Sequence, residues 1–167
     1  MKITVDQIMA WGPCSPYTDA RVRELVGDGL TPREIAALDI PPEDRFWALT
    51  NLLDERDCRL LACDIAESVV HFTGDDPRCV DVIWVSRRYA FGLADHDELS
   101  AARAAARAAT WAAARAAARY AARAAARTTA DAALHVAWDA HIARALDYIE
   151  GRVDIDALRE SVVGDAT

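Results

Sequence analysis

The chain has 167 residues, 53% of them hydrophobic and 28% charged, with a formal net charge of −8. That length suits one domain able to bury about two-thirds of its unfolded surface without help from metals or disulfides. No stretch reaches the roughly 18 uncharged apolar residues of a membrane helix, and the first ten residues lack the cationic start and apolar block of a signal peptide. A cytoplasmic protein without membrane contact is therefore expected.

The N-terminal region reads as a run of short, well-punctuated helices. Thr4 with Gln7 forms a capping box ahead of Ile8 and Trp11, and Gly12-Pro13 ends that turn. Thr18 opens a helix carrying Val22, Leu25 and Val26 that stops at Gly27. Thr31-Pro32-Arg33-Glu34 is a stronger start, combining a cap, a proline at the first helical position and a glutamate three residues after the cap. Pro41-Pro42 begins the next helix, with Phe46, Trp47, Leu49 and Leu52-Leu53.

Asp54 caps a longer core helix in which Leu60, Leu61, Ile65, Val69 and Phe72 recur at helical spacing until Gly74. Asp76-Pro77 starts another, ending in Tyr89-Phe91 and closed by Gly92. No strand alternation lasts more than a few residues, so the expected class is all-α.

From about 95 to 150 helical propensity is unbroken, because alanine and arginine carry the lowest helix costs. A straight helix of that length spans roughly 80 Å, twice the roughly 40 Å of a compact chain this size. Thr128-Thr129-Ala130-Asp131 is the one break signal, and a bend is expected there. Leu134, Trp138, Ile142, Ala145 and Ile149 then make an apolar face, and a last helix is expected from about Asp154 to Val163. The reading is one all-helical domain over 1–167. A short-helix region (1–94) packs on the long Ala/Arg-rich helix (95–150, bent near 128–131), and a short C-terminal helix (151–167) follows.

Arginines at 103, 107, 115, 119, 123 and 127 step by four, with Trp111 in the one missing step. Each step of four turns the helix about 40° past a full circle, so the ladder winds roughly 240° around the cylinder. It is not a flat basic strip. Charge is also uneven: residues 1–98 hold 10 basic and 19 acidic side chains, 99–130 hold 6 and none, and 131–167 hold 3 and 8. A cationic rod between acidic segments argues against nucleic acid and for the chain's own acidic part, or an acidic protein, as its counter-charge. Alanines between the arginines let another helix approach closely, which also allows a homodimer. The residues expected to contact a partner are Arg103, Arg107, Trp111, Arg115, Arg119, Tyr120, Arg123 and Arg127, because arginine and large aromatics are the usual interface anchors.

Catalytic and metal signals are weak. Asp64, Glu67 and His71 fall at i, i+3 and i+7, and Asp131, His135 and Asp139 at four-residue steps. Both depart from the Glu-x-x-His spacing of helical metal bundles and read as solvated or ion-paired side chains. His141 reads as a histidine at the border of the Trp138 face. Cysteines 14, 58, 63 and 79 form no Cys-x-x-Cys pair and read as reduced thiols. With no phosphate loop, nucleophile elbow or His-Glu-x-x-His motif, the expectation is a non-enzyme with no cofactor, no metal and no catalytic residues.

Three pieces of the chain together resemble a group of alanine-rich bacterial and phage proteins known as immunity proteins. They are Trp11-Gly12-Pro13-Cys14, Leu60-Leu61-Ala62-Cys63-Asp64-Ile65-Ala66-Glu67, and the Ala/Arg tract following an aromatic-rich helix. The resemblance implies a protein that neutralises a toxin by stoichiometric binding and carries over no catalytic residue. Two other readings of a non-enzymatic helical protein stand beside it. One is a phage-encoded inhibitor of a host defence system, of the anti-CRISPR kind, and the other is a helical self-assembly module.

Overall fold

A computed structural model describes residues 1–73, 76–107 and 130–164. The fold is all-α, as the patterning predicts. In chain order the helices are α1 (Val5–Ala10), α2 (Asp19–Val26), α3 (Pro32–Ala36), α4 (Pro42–Thr50), α5 (Glu55–Val69) with a 3-10 turn (Val70–Thr73), and α6 (Pro77–Ala90). Helix α7 covers 96–107 of the described residues, followed by α8 (Ala130–Ile149) and α9 (Ile155–Gly164). None of these helices is long and apolar enough to cross a membrane. The stretch 108–129, which holds the Thr128-Thr129 break signal, lies outside the described residues, as does Gly74.

Local chemistry fixes the helix starts. The Gln7 N–H donates to Thr4 Oγ1 at 3.3 Å while the Thr4 N–H donates to Gln7 Oε1 at 2.9 Å; Thr31 and Glu34 repeat the exchange at 3.3 and 2.7 Å. Each box satisfies amide donors that a first helical turn leaves without partners. Thr18 caps α2 and Asp76 caps α6 through their side chains. Asp154 does the same for α9, its Oδ1 accepting from the Ala157 N–H at 2.9 Å.

The chain divides into two compact units. The first joins Met1–Asp54 to Asp131–Val153 and so contains α1 to α4 and α8. The second contains α5, the 3-10 turn, α6, α7 and α9. The division runs through the 1–94 region that the sequence presents as one cluster of short helices.

In the first unit an isolated antiparallel bridge ties the N-terminus to the segment before α3. The Ile3 N–H donates to Leu30 O at 2.7 Å and the Leu30 N–H returns a bond to Ile3 O at 3.0 Å. Gly29 sits beside it at φ +106°, where a β-carbon would meet Ile3 O at 3.2 Å, so only glycine passes here without strain. The core holds Ile3, Val22, Val26, Ile35 and Leu49 from the N-terminal helices and Ile142, Ala145 and Tyr148 from α8. Phe46 of α4 meets the Trp138 ring of α8 at 5.6 Å between centroids, and His141 stands edge-on to Trp138 at 5.8 Å. His141 thus borders the apolar face, as its position beside Trp138 predicts. Arg33 donates to Glu150 at 2.6 Å.

In the second unit α5 packs along α6. Leu60 and Leu61 are buried on α5, and Cys79, Ile83 and Val85 on α6. Helix α7 adds Leu99 and Ala102, packed against Val85, and Val162 of α9 is buried. Ala102 is the one residue of the alanine-rich tract buried in this cluster among the described residues.

All four cysteines are free thiols: Cys14 is exposed, Cys58 half-buried, Cys63 and Cys79 buried. The Cys63 thiol donates to Ile83 O at 3.7 Å, and burial pushes its pKa up to about 11. A buried neutral thiol is inert. A maleimide at neutral pH is therefore expected to modify Cys14 first and Cys63 and Cys79 only after urea unfolding, which peptide mass mapping checks. Rapid labelling of Cys63 in the folded protein contradicts this burial.

Candidate functional site

An apolar pocket lies within the first unit, between the α1–α2 connection and helices α2 to α4. Its volume is about 180 Å³ and its lining includes Ile8, Tyr17, Val22, Leu38, Trp47 and Ala48. Gly12, at φ +72°, turns the chain out of α1 into Pro13-Cys14 at its edge. The Tyr17 N–H then donates to Cys14 O at 2.9 Å, a turn that places the ring just ahead of the Thr18 cap. Trp47 lines the pocket and meets Trp11 in a T-shaped contact, with centroids 6.3 Å apart and rings at 79°.

One charged group belongs to the lining. Asp44 stands in the first turn of α4, where the positive end of the helix favours its charge. Its Oδ2 accepts the Tyr17 hydroxyl at 2.6 Å, a bond spanning 27 residues that ties the α1–α2 connection to α4. Asp39 and Glu43, both exposed, flank it on the α3–α4 segment. Next to Asp44, Arg45 points elsewhere, its Nη1 donating to Ala36 O at 2.9 Å. Among the described residues no cationic side chain comes within ion-pair distance of Asp44.

The Tyr17 phenol is pushed up to about 12, by burial first and then by the hydrogen bond to Asp44 and its negative charge. The folded value lies above the ordinary 10.0. This group's contribution to stability is therefore complete below about pH 10 and is lost as the pH rises through about 12. Thermal melts at about pH 9 and about pH 11.5 are expected to show a smaller drop for Tyr17→Phe than for the native chain. Equal drops in the two proteins contradict the assignment.

Of the partner-contact residues expected from sequence, Arg103 and Arg107 are described, and both lie in the second unit on α7. Arg103 is exposed and borders an open groove of about 360 Å³ with Cys58, Arg59 and Ser86. Arg107 lines a smaller recess with His96 and Ser100. Trp111, Arg115, Arg119, Tyr120, Arg123 and Arg127 lie outside the described residues, and so do the side chains of Asp131 and His135.

Asp64 and Glu67 do share a face, and that face makes an ion pair. Arg87 of α6 donates to Asp64 at 2.8 Å and to Glu67 at 2.7 Å. Burial works against the Arg87 charge, but the bonds to Glu67 and Asp64 outweigh it and hold the guanidinium more firmly protonated than usual. His71 lies past the end of α5, in the tighter 3-10 turn Val70–Thr73.

Sequence reasoning missed the pocket. Its nearest signal is the Trp11-Gly12-Pro13-Cys14 motif, which the fold brings to the pocket's rim. No family model, curated protein or solved structure matches the chain.

Proposed function

We propose that this chain is a non-enzymatic protein that binds a second protein stoichiometrically and inhibits it, as an immunity protein neutralises a toxin. The carrying observation is the pocket of the first unit: about 180 Å³, apolar, open at the surface and sized for a single side chain. Interfaces draw most of their energy from a few anchors seated in such pockets. Two polar groups of the lining hold each other, the Tyr17 hydroxyl donating to Asp44. The resemblance of Trp11-Gly12-Pro13-Cys14 and Leu60–Glu67 to the immunity group supports the same reading.

Tagged chain recovered from its native host is expected to bring down one protein in equal amount, the complex holding together in light scattering after size exclusion. Expressing that protein alone is expected to arrest growth, and co-expressing this chain to restore it. Recovery of the chain by itself overturns the binding reading. Capture without rescue overturns inhibition.

A further inference from the structure

We propose that the pocket of the first unit receives an arginine side chain of a basic protein partner, its stem against the apolar wall and its guanidinium on the Asp44 carboxylate. This rests on reading the chain as a protein-binding inhibitor and names the chemistry of the residue it captures.

Size gives the first argument. A cavity of about 150 Å³ takes a six-membered ring, so one of about 180 Å³ takes about seven non-hydrogen atoms on the same scale. Valine and leucine underfill it; phenylalanine and arginine match it. Polarity separates those two. Asp44 Oδ2 is occupied by the Tyr17 hydroxyl, while Oδ1 accepts no hydrogen bond among the described residues and faces no cation there. A phenyl ring seated over that carboxylate strips its water and returns no donor, which is costly. A guanidinium returns charge-assisted donors in a planar fork, and the rings of Tyr17 and Trp47 suit a cation that stacks on aromatics.

Charge gives the third argument. Residues 1–54 and 131–153, which make the first unit, hold 13 acidic and 7 basic side chains. Such a surface draws a cationic partner and repels an acidic one. Nearby cations of the chain are already engaged, Arg21 with Glu24 at 2.8 Å and Arg45 with the Ala36 carbonyl. The acidic partner expected for the arginine ladder is thus a different chemistry from the one this pocket selects.

The test uses the full chain, labelled with nitrogen-15, and three capped tripeptides of the form Gly-X-Gly, where X is arginine, citrulline or phenylalanine. Citrulline has the shape of arginine without its charge. The arginine peptide is expected to shift the Tyr17, Asp44 and Trp47 amide resonances and the Trp47 indole resonance saturably. Its binding should be at least tenfold tighter than that of the citrulline peptide, and Asp44→Asn should abolish the difference while leaving the remaining spectrum unchanged. Equal or tighter binding of the citrulline or phenylalanine peptide, no binding by any of the three, or an arginine-over-citrulline preference that survives in Asp44→Asn each overturn the proposal. Should the arginine peptide fail while a partner still copurifies one to one, only the arginine assignment falls. Should copurification fail, the inhibitor reading falls.

Discussion

Leu60→Ala is expected to lower the unfolding free energy of the second unit by about 2–5 kcal/mol, the range for truncating a fully buried leucine. Leu60 has no exposed surface and lies on α5, the helix that packs along α6. Removing its terminal carbons forfeits their transfer energy and leaves a void that a helix pair held at other points collapses only in part. Against a total stability of about 5–15 kcal/mol for a typical domain, the loss is large. Urea titration followed by circular dichroism reads the loss. Leu60→Met, which nearly conserves volume, is expected to cost under about 1.5 kcal/mol. An alanine variant within about 1 kcal/mol of the native chain contradicts the burial of Leu60.

Arg87→Ala carries the second large effect, about 2–3 kcal/mol. Arg87 and Asp64 retain only 15% and 12% side-chain exposure, and the guanidinium bridges two carboxylates of α5. Taking one partner from a well-buried pair typically costs about 3–5 kcal/mol because the remaining charge is stranded away from water. The residual exposure of this pair brings the figure below that range. The two acids are not equivalent, since Glu67 is 60% exposed. Double-mutant cycles are expected to give a coupling above about 1 kcal/mol for Arg87 with Asp64 and below it for Arg87 with Glu67. The reverse order contradicts the geometry. Arg87 Nε is buried with no hydrogen-bond partner among the described residues, so Arg87→Met is expected to recover part of the loss by filling the space without a buried polar atom.

What was legible in the sequence was local. The Thr4/Gln7 and Thr31/Glu34 boxes, the Thr18 cap and the Asp76-Pro77 start lie where the sequence places them, because each rests on bonds between residues two or three apart. Asp64 and Glu67 were legible as one face for the same reason. Their cation was not, because Arg87 reaches them only once α5 and α6 pair. The Tyr17 hydroxyl finding Asp44 is likewise a tertiary event: one residue precedes a cap and the other follows a Pro-Pro pair, and neither pattern mentions the other. The Ile3–Leu30 bridge escapes periodicity because one bridge needs no alternation. At the end of α5 the apolar spacing runs on to Phe72, but the backbone tightens after Val69, and spacing alone does not distinguish those two turns.

The first unit is assembled from two stretches far apart along the chain, 1–54 and 131–153. Phe46 leaves the ribosome about ninety residues before the Trp138 it meets, a wait of roughly 5–18 s at about 5–20 residues per second. Through that interval α1 to α4 stand without α8, and the half-made unit shows nascent-chain binders the apolar surface that Ile142, Ala145 and Tyr148 later help to seal. Translation pace along the alanine-arginine codons therefore sets how long this surface stays uncovered.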